Sequence, residues 1–486
     1  MSMAIFALLV IPLIAAGLSA LTPREKQSLI EYLSVGAAIA EIMLALSIAH
    51  SILQGTVLNA SVFFAIDALG AFALLFITTV GLAATIHSVG HLREEEQKGI
   101  IGFRRDREYF VLLHLFFFAM FVAATTASPI IMWTAIEATT LATAFLVSFY
   151  NKASAIEAGW KHLIINSVGL LLGFLGTLLF LNAASSAGSG STFVSWDVLR
   201  HVGDTLNPTL VKIAFIFVLV GYGTKVGFVP MHTWLPDAHS KAPIPISSLL
   251  SGVLLNMALI AVLRFRAVAD LAIAPIFTQH LLITFGVISL VVAALIIFSQ
   301  KNYKRMLAYS SIEHMGIMGI GFGIGGIASV AALFHMLYHA LLKPILFFCA
   351  GNFFLKYSST KIAKVRGALS IVPISASLFF AGLLAVSGIP PSGIFFTKLS
   401  ILAAGMQNYS YVMLVVLGAL AIVLVGFLRN ATSMLFSEPP ADLPKGEPSS
   451  WTLVSVIFLA SIFVIISVYV PAPLHILITN AAAIIR

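Results

Sequence analysis

From residue 3 to residue 470 the chain is a series of apolar runs, most about 20 residues long, separated by short polar or Gly/Pro-containing stretches. A run of that length is what one helical crossing of a hydrocarbon core about 30 Å thick requires. In hydrocarbon every backbone N–H and C=O must be bonded within its own segment, so each run can only be a helix. Fourteen runs can be delimited, at 3–21, 29–53, 63–90, 109–126, 129–150, 161–183, 209–229, 243–263, 274–298, 306–324, 327–355, 370–405, 409–436 and 451–470. The expected fold is all-α, a polytopic membrane protein in a lipid bilayer. Composition leaves no alternative: 60% of residues are hydrophobic and 9% charged, against about 25% charged in soluble proteins. Soluble enzymes, disordered tails and secreted disulfide scaffolds are excluded. The single cysteine, Cys349, lies inside an apolar run, which rules out an internal disulfide or a cysteine-ligated iron–sulfur cluster. No cofactor is expected on this chain, and any redox chemistry belongs to a partner. The first run has no basic segment ahead of it and is long for a signal sequence, so it is expected to stay as a helix.

The net charge of +8 does not point to nucleic acid, because the basic residues fall mostly in short loops. Loops after the odd-numbered runs hold nineteen of the 27 Lys and Arg, from Arg24 and Lys26 to Arg429 and Lys445. The opposite set holds five: Arg200, Lys212, Arg264, Arg266 and Arg486. Basic loops stay cytoplasmic, so both termini are expected on the outer side of a bacterial or archaeal cytoplasmic membrane.

The remaining three, Lys225, Lys343 and Lys398, lie within the runs. A charge at the bilayer centre costs at least about 2.5 to 3.5 kcal/mol on insertion scales, which makes such a residue a functional candidate by default. Lys343 is thirteen residues from Lys356, about 20 Å along a helix, too far for its head to reach that surface. Lys398 is nine residues from Gln407, and Lys225 five residues before Pro230, so interfacial positions compete more strongly there. His335 and His339 precede Lys343 at i, i+4 spacing, which lines up three titratable groups about 6 Å apart on one helix face, as a proton relay requires. Glu137 is an acid near the middle of its run, where it must be protonated or paired with a cation, and a lysine is the obvious partner. His114, Glu41 and Asp67 are compatible with ordinary buried polar positions or with subunit contacts. His87 and His91, just before Arg93 and three glutamates, read as a solvated helix end. His232, Asp237 and His239 offer too few fixed ligands in one short loop for a metal. The glycines of Gly221-Tyr222-Gly223-Thr224-Lys225-Val226-Gly227 have neither the spacing nor the preceding strand of a nucleotide loop.

Two runs are interrupted, the seventh around Pro230 and Pro236, the twelfth at Gly388-Ile389-Pro390-Pro391-Ser392-Gly393. Broken helices at corresponding places in two halves mark inverted-repeat transporters. The expected organisation is an N-terminal three-helix segment with a charged loop (1–108), a first five-helix repeat (109–268), a second, inverted five-helix repeat (269–436), and a C-terminal helix and tail (437–486), with helices 7 and 12 discontinuous.

Three stretches carry a resemblance. They are Gly223-Thr224-Lys225 through Pro230-Met231-His232-Thr233-Trp234-Leu235-Pro236-Asp237-Ala238-His239, then Lys304-Arg305-Met306-Leu307-Ala308-Tyr309-Ser310-Ser311, and the His335, His339, Lys343 helix. Together they resemble the antiporter-like subunits shared by respiratory complex I, multisubunit sodium/proton antiporters and membrane-bound hydrogenases. Ile136-Glu137-Ala138-Thr139-Thr140-Leu141 and the stretch from Gly221 to Leu255 look most like hydrogenase-4 component F, a membrane subunit of formate hydrogenlyase-type complexes. The resemblance implies that Glu137 and Lys225 form a gating ion pair, that Lys343 and the two histidines belong to a central hydrophilic axis, and that Lys398 faces the outer exit. It implies a proton-translocating, non-catalytic subunit, with membrane partners and with peripheral hydrogenase or dehydrogenase subunits carrying nickel–iron or iron–sulfur centres. Two alternatives are a subunit of a sodium/proton antiporter and a membrane subunit of an inorganic-carbon uptake complex. Asn256 stands where the family carries a lysine or histidine, so the link from Lys225 to Lys343 is expected to use water or another side chain.

Overall fold

The computed structural model describes residues 2–55, 58–186 and 194–485. The chain winds through α1 (Ser2–Leu21), α2 (Gln27–Leu53), α3 (Ala68–Gln97), α4 (Phe103–Thr125), α5 (Pro129–Val147) and α6 (Ala153–Ser186). A short α7 (Trp196–His201) leads into α8 (Pro208–Val226), α9 (Trp234–Lys241) and α10 (Ile244–Leu249), which passes through a π-helical turn (Leu250–Leu254) into α11 (Leu255–Ala272). Then come α12 (Ile276–Ser299), α13 (Tyr303–Ile324), α14 (Ile327–Tyr357), α15 (Ala368–Ile371), α16 (Pro373–Ser387), α17 (Gly393–Gly405), α18 (Ser410–Leu435), α19 (Ser450–Val468) and α20 (Ala472–Ile484). Among the described residues, twelve segments are long and apolar enough to cross a membrane. With α13 and the α16–α17 pair they make the fourteen expected crossings.

Helix starts follow from local chemistry. Ser128 and Asn207 each cap a helix whose first residue is proline, pairing a side-chain acceptor for free N–H groups with a residue that has none to satisfy. Asp67 caps α3 through Gly70 N–H and also receives both ends of the Arg264 guanidinium, at 2.7 and 2.8 Å. Burial alone would raise the Asp67 carboxyl, but the Arg264 charge holds it below the usual carboxylate range. That residue, left open between two readings by the sequence, is a structural tie between α3 and α11.

Both expected breaks are present and alike. α8 ends on Gly227 at φ +85° and α16 on Gly388 at φ +90°, left-handed caps that favour glycine, and a proline follows within three residues in each case. The packing order α4–α5–α6–α8–α11 recurs as α12–α13–α14–α16–α18. The most enclosed helices are those of the middle: the segment Ile244–Ala272 is wholly buried and α14 89% buried, against 33% for α18 and α19.

Two boundaries differ from expectation. The third helix runs on to Gln97 instead of ending near residue 90. His87 and His91 are consequently fully buried, because α10, α14 and α19 pack over that end of α3; they are not a solvated cap. The tail after residue 470 is also an apolar helix, α20, which packs against α2, α3 and α14.

Candidate functional site

Lys225 sits in the last turn of α8, fully buried, and its Nζ donates to Thr140 Oγ1 of α5 at 2.7 Å. Glu137 lies one turn earlier on α5, half-buried; its Oε1 accepts from Ser167 of α6 at 2.6 Å and its Oε2 from Thr140 at 3.4 Å. The Thr140 hydroxyl therefore accepts from the lysine and donates to the acid. The direct Glu137–Lys225 ion pair implied by the resemblance is replaced by this bridge, since among the described residues no such pair lies within 4.0 Å. The physical reason is the depth of the two groups: one turn of α5 separates Glu137 from the threonine that Lys225 reaches. Close approach of α6 and α8 fixes this geometry, since a Cβ on Gly221 would stand 2.1 Å from the backbone nitrogen of Gly173.

In the second half, His335, His339 and Lys343 lie fully buried along α14. Lys343 Nζ donates to the Leu307 carbonyl of α13 at 2.5 Å and lies 5.5 Å from the centre of the Phe347 ring. His335 bonds Thr397 of α17 at 2.8 Å and His314 of α13 at 2.7 Å, and the His314 ring stands 5.2 Å from that of His339. Lys398, 5% exposed, pairs with Glu313 at 3.0 Å and donates to the Val386 carbonyl at the broken end of α16. Its ammonium is turned toward Glu313 and the broken end of α16.

Glu313 and His314 escaped the reading of the sequence, although the rule that singled out Glu137 applies to them equally. Both are fully buried within α13. By packing order α13 answers to α5 and α17 follows the break as α8 precedes it, so Glu313–Lys398 is the second-half counterpart of Glu137–Lys225. One pair is in contact and the other is bridged.

The halves meet through histidines. His162 of α6 bonds Thr143 at 2.8 Å and packs its ring 4.7 Å from that of Trp234. It lies within electrostatic reach of both Lys225 and His239. His239, fully buried in α9, stacks on Phe347 at 4.9 Å and lies within reach of Lys343. Asn256 instead ties backbone to backbone, donating to the Gly252 carbonyl at 2.8 Å and the Met336 carbonyl at 3.4 Å. His162 and His239 are the ionisable side chains within electrostatic reach of Lys225 and Lys343, where Asn256 offers none. Both ring nitrogens of His239 and of His339 are buried without a protein partner, positions that call for water, since buried polar groups are satisfied by protein or by ordered water.

The other candidates lie apart. Asp237 joins Arg305 at 2.5 Å and Lys161 at 3.3 Å in a partly exposed ion cluster. His232 stands 6.1 Å from the Tyr309 ring in the α8–α9 break. His114 bonds Ser34 of α2 at 2.9 Å, within the N-terminal segment. Glu41 is buried in α2.

Acids, lysines and histidines set largely in the interior of two similarly broken sets of helices are the features of an antiporter-like membrane subunit. Residues 124–425 match the transmembrane region of the NADH:quinone oxidoreductase/Mrp antiporter family, and the chain belongs to that family. It is 35% identical over 382 residues to a hydrogenase-4 component F homolog of Methylacidiphilum infernorum, covering 78% of this chain and 80% of that one. Its fold is similar to a chain of the archaeal membrane-bound sulfane sulfur reductase, with TM-score 0.87 and 23% identity over 100% of this chain and 98% of that one. It is also similar to a chain of the Mrp complex from Dietzia sp. DQ12-45-1b, with TM-score 0.84 and 18% identity over 99% and 97% of the two chains. These two likenesses concern the fold alone.

Proposed function

We propose that this subunit translocates protons as part of a multisubunit redox complex, a membrane-bound nickel–iron hydrogenase or a relative of complex I. It sits in a bacterial or archaeal cytoplasmic membrane with both termini outside. Its partners are other membrane subunits and peripheral subunits that carry the nickel–iron or iron–sulfur centres. The observation that carries the reading is the series Glu137, Thr140, Lys225, His162, His239, Lys343, His339, His314, His335, Glu313 and Lys398, held between two gates in different states. Burial disfavours a lysine's charge and a neighbouring carboxylate restores it. Glu137 reaching past Thr140 to Lys225 holds a proton there, and its withdrawal releases that proton into the histidine link. Separating a buried charge pair costs about 3 to 5 kcal/mol, enough to work against a membrane potential worth about 2.3 kcal/mol per charge per 100 mV. Contact at Glu313–Lys398 closes the far gate while the near one is open, which prevents a leak.

The test uses inverted vesicles containing the whole complex. Lys225→Met and Glu137→Gln are expected to abolish redox-driven acidification while the protein stays inserted, and undiminished acidification in either rejects the scheme. Acidification is expected to be insensitive to sodium; strict sodium dependence would assign the chain to antiport instead. Mass spectrometry of the copurified subunits identifies the redox partner, and a soluble zinc protein in place of a hydrogenase would favour inorganic-carbon uptake.

A further inference from the structure

Outside the axis just described, α3 carries a second line of buried titratable groups. His87, His91 and Glu95 follow at i, i+4, i+8, the spacing of the α14 array, and all three are fully buried. Glu95 Oε1 accepts from the Tyr150 hydroxyl at 2.6 Å and lies 3.4 Å from His91 Nε2. The His91 and His87 rings stack with centroids 6.0 Å apart. His87 Nδ1 bonds Ser455 of α19 at 2.9 Å, and its ring lies flat on Phe348 of α14 at 4.1 Å. Phe348 is five residues beyond Lys343, and the π-helical turn packs against both α3 and α14. Such turns concentrate at functional sites, where they displace backbone carbonyls from the regular ladder. The charged neighbour across the bundle is Lys304 of α13, whose Nζ donates to the Ala242 carbonyl at 2.7 Å and which lies within electrostatic reach of Glu95.

A structural role does not account for this line. His91 has no protein partner on Nδ1 and only the long approach of Glu95 on Nε2, while His87 Nε2 and Glu95 Oε2 have none. Three polar atoms without a partner in one dry file would be strongly destabilising, whereas waters threaded between them would satisfy all three. The groups are spread along one helix face and do not converge on a point, which suits a water file and not a metal ion. Glu95 is the member nearest the basic loop that holds Lys98, Arg104 and Arg105.

We propose that Glu95, His91 and His87 form a hydrated proton-uptake line from the basic-loop face of the membrane to the Lys343 region of the central axis. Glu95 takes a proton from water, and His91 receives it on Nε2 and releases one from Nδ1. His87 receives it through water on Nε2 and releases a proton from Nδ1 through the Ser455 hydroxyl to water beside α14. The line rests on the proposed translocation function, since it has a purpose only if protons move through the axis.

Two measurements test it and separate its failure from failure of that function. In inverted vesicles that acidify with the native subunit, Glu95→Gln and His91→Gln are expected to slow acidification per redox turnover at least about tenfold, as loss of a positioned proton-transfer group does. Glu95→Asp is expected to keep more than half the native rate. An unchanged rate in Glu95→Gln overturns the proposal, and so does an equal loss in Glu95→Asp at normal protein level, since it would mark a packing role. Absence of acidification with the native subunit counts against the function itself; the line is then decided by a high-resolution density map of the complex. Ordered water within hydrogen-bond distance of His91 is expected there, and dry, direct packing overturns the line independently of any transport assay.

Discussion

Glu313 and Lys398 make the most exacting electrostatic statement in the molecule, an ion pair at 3.0 Å with side chains 0% and 5% exposed. Removing one partner strands the other as a buried charge, so Glu313→Gln is expected to lower stability by about 3 to 5 kcal/mol. The reading is a reduced unfolding midpoint in detergent, and Glu313→Leu combined with Lys398→Met is expected to recover most of the loss. An equal midpoint in wild type and Glu313→Gln would mean that Lys398 finds its charge balance elsewhere. The histidine link makes a second demand at this scale. His162→Leu keeps the packing on Trp234 but removes the group between Lys225 and His239, and is expected to suppress acidification without loss of the folded subunit, measured side by side in one vesicle preparation. The lysines, His335 and His339 were legible in the sequence because an ionisable group in an apolar run stands out. Glu313 and His314 lie well inside the run 306–324 and were open to the same rule; His162 stands at the start of its run beside Lys161, so a linear reading takes it for a helix end, and only the packing of α6 places it at depth.

The helices α6 and α8 touch through their glycines, and the closeness of that contact puts the α8 terminus, with Lys225, against α5. Gly221→Val is expected to force the pair apart, costing about 1 to 3 kcal/mol or more as overpacking does, and to break the Lys225–Thr140 bond. Gly418→Ala in α18 meets nothing within 4 Å and is expected to leave stability unchanged or slightly raised, because it removes a flexible residue from a helix. Comparing the two unfolding midpoints checks both. The breaks at Gly227 and Gly388 were readable from proline and glycine spacing, since those residues dictate backbone locally. The π-helical turn ahead of Asn256 was not, because nothing in a run such as Leu250-Ser251-Gly252-Val253-Leu254 distinguishes one helical ladder from another; it arises where Gly252 packs against the Ala340 carbonyl and Pro344 of α14.

The arrangement of the whole molecule rests on which loops carry charge. With the basic loops inside, exposed Ser61 lies outside and exposed Ser358 inside. A membrane-impermeant maleimide applied to intact cells is expected to label Ser61→Cys and spare Ser358→Cys, with the buried Cys349 silent in both. The reverse pattern would invert the topology and with it the direction of the proposed proton route. At this scale the two halves also differ: the acid and lysine of one half are in contact while those of the other are bridged by a hydroxyl. Under the proposed function these are two gates in opposite states, which lets protons cross without an open path.

The sequence by itself determined that this chain lives in lipid, crosses it fourteen times and breaks two of those helices, because hydrophobic run length, loop charge and the backbone limits of glycine and proline are local properties that survive without tertiary contacts. It also identified most of the ionisable residues that lipid would not tolerate. Tertiary structure decided which of them touch: that Thr140 stands between Glu137 and Lys225, that Lys398 finds Glu313, that His239 lies within reach of Lys343, and that His87 and His91 are buried. Those outcomes depend on groups brought together from distant positions, and a buried charge is governed by its neighbours within a few ångströms and not by its place along the chain.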